Sequence, residues 1–520
     1  MGNETAVRPF LTLAMKLRDI AEELSGADLL GRSDTDVAAI CHDSRRVIKG
    51  ALFTAVPGFK SDGHDYLPEA LAAGAAAVLV QADRAAKWQG LLSQRGIPAI
   101  VVRDSRAALA RVAAAFHGHP GRWLTVIGVT GTDGKTSLCH LVAYILETAG
   151  EKVGLMSTAE NRAGGSALPD SGRFTTPEAP EVQGMLSQMV TAGCRYAIVE
   201  ATSHGLALHR LDGCEFDIAV MTNVGVDHRD FHGTEQEYLA SKGRLFAMLD
   251  EAVSKGVQRM AVLNADDPAH QYLRSLTRSR ALTYALESAA AVRAENMIQD
   301  GWGTRFTLNT PAGSLPASIS RPGAFNVSNA LAATAVGLAL GRGLPEIVQG
   351  LKTWPGAPGR MELVDEGQPF RVVVDFAHAP GSLRRVLSFL RQASQGRIIA
   401  VFGCIGERDR ERRFPMGQAA AELSDYTIVT DDGPYGEDRD EIIRQIAEGL
   451  RAAGKREGHD FALIPDRRQA IAQALAMAVD GDVVLLAGKG HEREVQLADS
   501  AYECDDREVA RRVLRELFVR

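Results

Sequence analysis

The residues with the clearest chemical potential lie in GVTGTDGKTS, Gly128 to Ser137. Glycines let backbone N–H groups turn inward around phosphate oxygens, and a helix that follows offers its positive end. Lys135 would neutralise β- and γ-phosphate charge, and Thr136 would ligate magnesium. Gly128, Thr130, Gly131, Thr132, Asp133, Gly134 and Ser137 complete a candidate ATP loop. The spacing departs from the usual form: five residues, not four, separate Gly128 from Gly134, and Gly131 supplies a shorter variant. A plain glycine-rich turn capping a βα unit is the alternative. A lysine and hydroxyls placed between a strand and a helix favour nucleotide.

Such a loop needs a strand to deliver it and a helix to receive it. LTVIGVTGTDGKTSLCHLVAYILETAG predicts a strand from Leu124 to Val129 and a helix to about Ala149. The same apolar run, glycine and helical pattern recurs at RYAIVEATSHG, RIIAVFGCIGERD and DVVLLAGKGHE. Continuously apolar strands alternating with helices imply a parallel sheet covered on both faces. The 520 residues suggest about three domains. Linkers at FHGHPGRW (Phe116 to Trp123) and KTWPGAPGR (Lys352 to Arg360) place them at about 1–120, 121–355 and 356–520. The expected class is α/β: a small α/β domain, a central P-loop-type ATPase domain with a mostly parallel sheet, and a C-terminal Rossmann-like domain.

Composition excludes several functions. Hydrophobic residues at 45% and charged residues at 24% describe an ordinary globular protein. A net charge of −7 argues against a general footprint for nucleic acid or anionic membrane, while leaving room for a local basic pocket. Six cysteines (Cys41, Cys139, Cys194, Cys214, Cys404 and Cys504) form no CxxC pair, which argues against a zinc ribbon or disulfide framework. The sequence has neither a secretory leader pattern nor an apolar stretch near the ~20 residues of a membrane span. A cytoplasmic, monomeric protein without membrane insertion is expected.

TGTDGKTS resembles the ATP loop of the Mur ligase family, and other family signatures follow in order. They are FTTPEA (Phe174 to Ala179), VEATSHGL (Val199 to Leu206), TNVGVDHRDFHG (Thr222 to Gly233), SKGRLF (Ser241 to Phe246), GAFNVSNALAA (Gly323 to Ala333), GRME (Gly359 to Glu362), VDFAHAPGSL (Val374 to Leu383) and AGKGHE (Ala487 to Glu492). DSRRVIKGALFTAVPG (Asp43 to Gly58), TTPEA and KGHE look most like the MurE type, which adds a third amino acid to UDP-MurNAc-L-Ala-D-Glu. The resemblance implies ATP-dependent amide formation: a carboxylate attacks the γ-phosphate, and an amine then displaces phosphate from the acyl phosphate.

It also implies roles. Glu200 and His228 would join Thr136 as magnesium ligands, the histidine resting on the family pattern because magnesium prefers oxygen. Lys242, otherwise a solvated helix lysine, would be carbamylated by CO₂ and so become an oxygen donor. Asn264, with Asp266 and Asp267, follows an apolar run, as a loop at a sheet's C-terminal edge would. Asn326 and Asn329 lie three apart on one helix face, and resemble adenine-side contacts or a helix-start cap. Arg360, Asp375 and His378 would reach the nucleotide from the third domain when domains close. The first domain would take the uridine diphosphate end through Ser44 and the Gly58, Phe59, Lys60, Ser61 segment. Thr175, Thr176, Thr202 and Arg210 would contact the muramoyl-peptide. Three positions depart from pattern: Thr202 for serine, Leu208 for glutamine and Asp133 for asparagine.

The incoming amino acid is the finer question. Arg408 matches an arginine for its α-carboxylate, and Gly488 and Glu492 match residues beside its distal amine. Enzymes that add meso-diaminopimelate read its second carboxylate with D-N-P-R, whereas this chain has Asp432, Gly433, Pro434 and Tyr435. Tyrosine can donate one hydrogen bond but no bidentate charged pair. Lysine or ornithine is therefore favoured, unless Arg410, Arg412 or Arg413 supplies the cation from the neighbouring loop. Folylpolyglutamate and cyanophycin synthetases share the ATP chemistry, but DSRRVIKGALF and TTPEA favour a UDP-muramoyl substrate. A non-catalytic amidotransferase-subunit relative would carry a cysteine-rich ribbon, which is absent from this sequence.

Overall fold

The computed structural model describes residues 14–59, 61–169, 174–225 and 229–518. They divide into two compact units, Met1–Trp354 and Pro355–Arg520. None of the described helices is long and apolar enough to cross a membrane.

The first unit holds two main sheets. Apolar runs such as Ala51–Thr54 and Ala77–Gln81 are buried along nearly their whole length, so both faces of their five-stranded sheet need cover. One face packs on Leu17, Ile20, Ala108 and Val112, the other on Leu67, Ala70 and Leu92. The edge strand Asp28–Leu30 runs antiparallel and the others parallel.

The second sheet of this unit has eleven strands. Thr125–Thr130 lies at its centre, between Tyr196–Glu200 and Phe216–Met221, both parallel to it. The strands from Val153–Met156 to Tyr196–Glu200 lie on one side of it and those from Phe216–Met221 onward on the other, so the order reverses beside Thr125–Thr130. In open parallel sheets, ligand sites gather at the C-terminal edge beside such a reversal. Beyond Arg280–Ala285 the sheet continues into Val292–Asp300 and an antiparallel meander.

The second unit carries a six-stranded sheet in which Arg371–Asp375, Val483–Ala487, Ile398–Phe402, Tyr426–Val429 and Phe461–Leu463 are parallel neighbours. Glu362–Val364 adds an antiparallel edge. Helices Arg467–Met477 and Asp506–Phe518 contribute Ile471, Leu475, Val509 and Leu514 to its core.

The segment that leads into the central strand is anchored by charge. Lys255 Nζ lies 2.6 Å from Asp217 Oδ2 and donates to the carbonyls of Gly121 and Leu124, each at 2.9 Å. Asp217 also accepts from the Val126 N–H at 2.8 Å. Both side chains are buried, and burial pushes the Lys255 ammonium down and the Asp217 carboxyl up, each opposed by the other's charge. Removing one member strands the other in a poorly solvated place. Lys255→Met should therefore lose about 3–5 kcal/mol of unfolding free energy in a denaturant titration, and a loss under about 1 kcal/mol would show the pair to be dispensable.

Candidate active site

The strand Thr125–Thr130 ends in the predicted loop and the helix Lys135–Thr148 follows it, within a residue of the sequence expectation. Gly131 has φ 147° and Gly134 has φ 82°. A Cβ on Gly131 would collide with Thr222 Oγ1, and one on Gly134 would sit 2.8 Å from Asn329 Oδ1. Glycine is thus required by both conformation and space. The next strand's exit braces the loop: Thr132 N–H donates to the Asn223 carbonyl at 2.8 Å, and Thr222 Oγ1 donates to the Asp133 carbonyl at 2.6 Å. Asp133 N–H donates to Asn223 Oδ1 at 3.0 Å, while its side chain is exposed. Ser137 lies in the first turn of the helix that follows.

Lys135 Nζ donates to the carbonyls of Gly131 and Thr132, at 3.0 and 2.9 Å. Lys242, on Glu235–Glu251, donates to the same Gly131 carbonyl at 2.7 Å and lies 4.2 Å from the Tyr238 ring. Its exposure is 1%, so the solvated-lysine alternative is wrong. That helix turns its Tyr238, Lys242, Leu245 and Leu249 face inward, which carries the lysine under the phosphate loop.

Glu200 ends its strand buried beneath the loop. Thr136 Oγ1 donates to its two oxygens at 3.0 and 3.1 Å, and Thr158 N–H donates at 2.8 Å. A hydroxyl and a carboxylate side by side form an oxygen donor set that fits magnesium, whose remaining positions water and phosphate would fill. His228, the third expected ligand, and Lys60 lie outside the described residues.

The hydroxyls expected for the muramoyl-peptide adjoin Glu200. Thr176 Oγ1 donates to the Glu200 carbonyl at 3.0 Å and lies 2.9 Å from Thr202 Oγ1. Thr175 Oγ1 is 3.0 Å from Thr158 Oγ1. Thr202 caps its short helix by accepting from Gly205 N–H at 3.0 Å, which serine would also do. Arg210 Nη1 donates to the Thr176 carbonyl at 2.9 Å, and its guanidinium stacks 4.7 Å from the Phe174 ring. In the five-stranded layer, Ser44 opens a short helical turn. Gly58 N–H donates to the Ser61 carbonyl at 3.0 Å, and Phe59, 77% exposed, meets Phe231 edge-on at 5.5 Å.

Two expected nucleotide contacts have internal duties. Asn326 Nδ2 donates to the Pro322 carbonyl at 2.7 Å, the helix-start role, and it is Asn329 that lies against the loop at Gly134. Asn264 Nδ2 donates to the Thr222 carbonyl at 2.8 Å, so it supports the residue that braces the loop. Asp266 and Asp267 accept backbone N–H groups of Ser288 and Val224.

In the second unit, Arg360 stacks 4.4 Å from the Phe376 ring, and His378 Nδ1 lies 2.8 Å from the Phe376 carbonyl. Burial raises Asp375, with Arg360 opposing, and its carboxylate accepts from Met361 N–H at 2.8 Å. The acceptor residues form a second cluster. Asp432 is buried, and a Cβ on Gly488 would stand 2.7 Å from its Oδ2. Burial pushes Asp432 up to about 6, against Arg467 and Lys489. Glu492 rises to about 7 through burial and the Asp432 charge, opposed by Lys489 and Arg467. Tyr435 N–H donates to the Gln496 carbonyl at 3.1 Å, Gly406 N–H donates to the Gly433 carbonyl at 2.9 Å, and Arg408 is exposed nearby in sequence. Of the three neighbouring arginines, Arg413 makes two 3.1 Å bonds to Glu437, and Arg410 lies 3.1 Å from the same carboxylate. Arg412 instead faces Cys404 and Asp432, and its Nε is buried without a hydrogen-bond partner.

Sequence reasoning missed the residue that organises this cluster. Arg467, fully buried, forms a bidentate pair with Asp506 (2.8 and 2.6 Å) and donates to the carbonyls of Asp431 and Ala487. It also lies 3.4 Å from Asp432 Oδ1. The only hint in the sequence was an arginine pair, Arg467 and Arg468, opening a helix, where basic residues are disfavoured. Arg467→Met should destabilise the second unit by about 3–5 kcal/mol in denaturant unfolding. It should also raise KM for the amino acid well above the change in KM for ATP, and equal changes would deny it this positioning role.

Comparison with known proteins bears on the whole chain. The profile of the Mur ligase middle domain matches residues 129–337, that of the Mur ligase glutamate ligase domain 359–490, and that of the Mur ligase family catalytic domain 36–117. The UDP-N-acetylmuramyl-tripeptide synthetase of Roseiflexus sp. (strain RS-1) is 45% identical, over 97% of this chain and 99% of that protein. The UDP-N-acetylmuramoyl-L-alanyl-D-glutamate--2,6-diaminopimelate ligase of Geobacillus thermodenitrificans is 40% identical, over 96% and 100%. A solved structure of a ligase with that second activity aligns at TM-score 0.65 and 29% identity, over 97% of this chain and 99% of the other. With identity this high sustained from end to end, the chain belongs to the Mur ligase family of ATP-dependent acid–amino-acid ligases.

Proposed function

We propose that this ligase joins a diamino acid to UDP-MurNAc-L-Ala-D-Glu. The observation that carries the reading is Glu200. Its carboxylate meets Thr136 of the phosphate loop, while its carbonyl holds Thr176 among the hydroxyls assigned to the peptide. The two ends of the reaction therefore meet on one residue. The substrate carboxylate attacks the γ-phosphorus and ADP departs with the bridging oxygen. The amine then adds to the acyl carbon, loses a proton, and phosphate leaves with the electron pair of the broken C–O bond. Lys135 offsets phosphate charge, Thr136 and Glu200 would hold magnesium, and Arg210 orients the peptide. Magnesium, when bound, draws charge off the phosphate oxygens.

Lys242 is assigned as a carbamate in the active enzyme, its amine combining with CO₂ and releasing a proton. Carbamylation turns a donor into an acceptor, so the side chain would leave the Gly131 carbonyl and present oxygen towards the metal. Lys242→Ala should lose activity at least a hundredfold, and added short carboxylates such as acetate should restore part of it. Full activity in the untreated variant would reject the role.

Lysine or ornithine is the favoured diamino acid. Tyr435 replaces the arginine that would read a second carboxylate, and Arg410 and Arg413 are held by Glu437. Diaminopimelate is the second reading, supported by Arg412 and by the activity named for the Geobacillus relative. Phosphate release with each amino acid in turn separates them. Preference for lysine or ornithine supports the first reading, and preference for meso-diaminopimelate that falls in Arg412→Gln supports the second.

Either amino acid brings a distal ammonium to Asp432 and Glu492. Lys489, Arg467 and Asp506 are the other charges facing Glu492. With carboxyls raised to about 6 and 7, Asp432 is half protonated and Glu492 mostly protonated at pH 6, and both release their protons by pH 8 while the ammonium stays charged. KM for the diamino acid should therefore fall as pH rises from 6 to 8, by up to about tenfold per proton and pH unit, and less in Glu492→Gln. A flat profile in the wild-type chain would refute this pairing.

A further inference from the structure

Two arginines share one carboxylate in the first unit. Glu178 precedes the helix Ala179–Thr191 without capping it. Its Oε1 lies 2.6 Å from Arg210 Nη2 and its Oε2 3.5 Å from Arg106 Nη1. Arg106 belongs to the helix Ser105–Phe116 beside the five-stranded sheet, whereas Arg210 and Glu178 belong to the eleven-stranded layer. The other carboxylate near Arg106, Asp104, caps that helix by accepting from the N–H groups of Arg106 and Ala107. The trio by itself therefore carries a surplus positive charge, which Asp104 offsets in part from the start of the helix.

That surplus is mostly buried. Burial pushes the Arg106 guanidinium down, with Glu178 opposing and Arg210 adding to the effect. Arg210 Nε is buried without a hydrogen-bond partner. Two desolvated guanidiniums sharing one carboxylate are only partly compensated, and such a site is suited to an incoming anion. A neighbouring contact gives the contrast. Arg46 and Glu181, one turn further along the same helix, pair one to one at 2.8 Å and leave no surplus. Position narrows the anion further. Arg106 Nη2 donates to the Pro57 carbonyl at 3.2 Å, immediately before Gly58, while Arg210 holds Thr176. The pair thus lies between the residues assigned to the two halves of one long substrate.

We infer that Arg106 joins Arg210 in a two-arginine clamp for an anionic group of the nucleotide-sugar peptide. This rests on the substrate proposed above. The group is either the dipeptide carboxylate that is not activated or a diphosphate oxygen, both of which accept two charged donors. Glu178 bridges the two guanidiniums, one carboxylate oxygen to each, and the substrate anion supplies the second negative charge.

Steady-state phosphate release by the full chain tests it. Arg106→Gln should raise KM for UDP-MurNAc-L-Ala-D-Glu about tenfold or more, the scale of one charged hydrogen bond. Arg106→Lys should raise it less, and KM for ATP should stay within about twofold. Arg46→Gln loosens the same seam between the sheet layers without touching the clamp, and should leave KM for the sugar peptide unchanged. With the D-isoglutamine analogue, which lacks the spare carboxylate, the gap between wild type and Arg106→Gln closes if that carboxylate is the anion and persists if the diphosphate is. An unchanged KM in Arg106→Gln, or an equal rise in Arg46→Gln, overturns the clamp while leaving the proposed function standing. A wild-type chain that does not turn over the sugar peptide overturns both.

Discussion

The carbonyl oxygen of Gly131 accepts from Lys135 at 3.0 Å and from Lys242 at 2.7 Å, and the loop around it sets the rest of the ATP end. Two ammonium groups on one acceptor hold the loop's turn at the end of the central strand, one from the helix that follows and one from Glu235–Glu251. The arrangement is possible because position 131 has no side chain: a Cβ there would drive Thr222 away, and Thr222 holds Asp133. Asn264 in turn holds Thr222 through its carbonyl. A chain of short contacts therefore runs across three strand ends, and a change at any one of them is felt at the lysines.

The second unit handles charge differently. Arg467 and Asp506 are both fully buried and joined by two bonds, and Arg467 also lies 3.4 Å from Asp432 Oδ1. Around that pair burial raises Asp432 and Glu492, with Arg467 and Lys489 opposing. The first unit thus gathers cations at its phosphate loop, and the second gathers carboxylates around a buried arginine. A net charge of −7 over the whole chain conceals both.

Much of this was legible in the sequence because it depends on short-range pattern. The glycine loop, the strand before it and the helix after it all follow from local spacing, whereas the inward turn of Lys242 on Glu235–Glu251 does not. The roles of single polar residues were less legible. Asn326 and Asn329 share a helix face and a residue type, yet one bonds the Pro322 carbonyl and the other meets Gly134, because only the packing of that helix decides which is nearer the loop. Arg467 and Arg106 carry no motif of their own. Their partners, Asp506 and Glu178, are 39 and 72 residues away, and such pairs exist only once the sheet layers are assembled.

The departures from the family pattern are unequal for the same physical reason. At Asp133 the loop is held through backbone N–H and C=O, so the side chain can change while the brace stays. At Thr202 the hydroxyl that caps the helix is retained, and only a methyl is added. Tyr435 differs from both. Its backbone N–H is held by the Gln496 carbonyl and its φ is a left-handed 52°, while a side chain that would carry a cation is absent. A substitution that preserves the path of the chain but removes charge alters what the pocket recognises and leaves the fold intact. The proposed selectivity for the amino acid therefore rests on Tyr435 and Arg412, whereas Asp133 and Thr202 retain the loop brace and the helix cap.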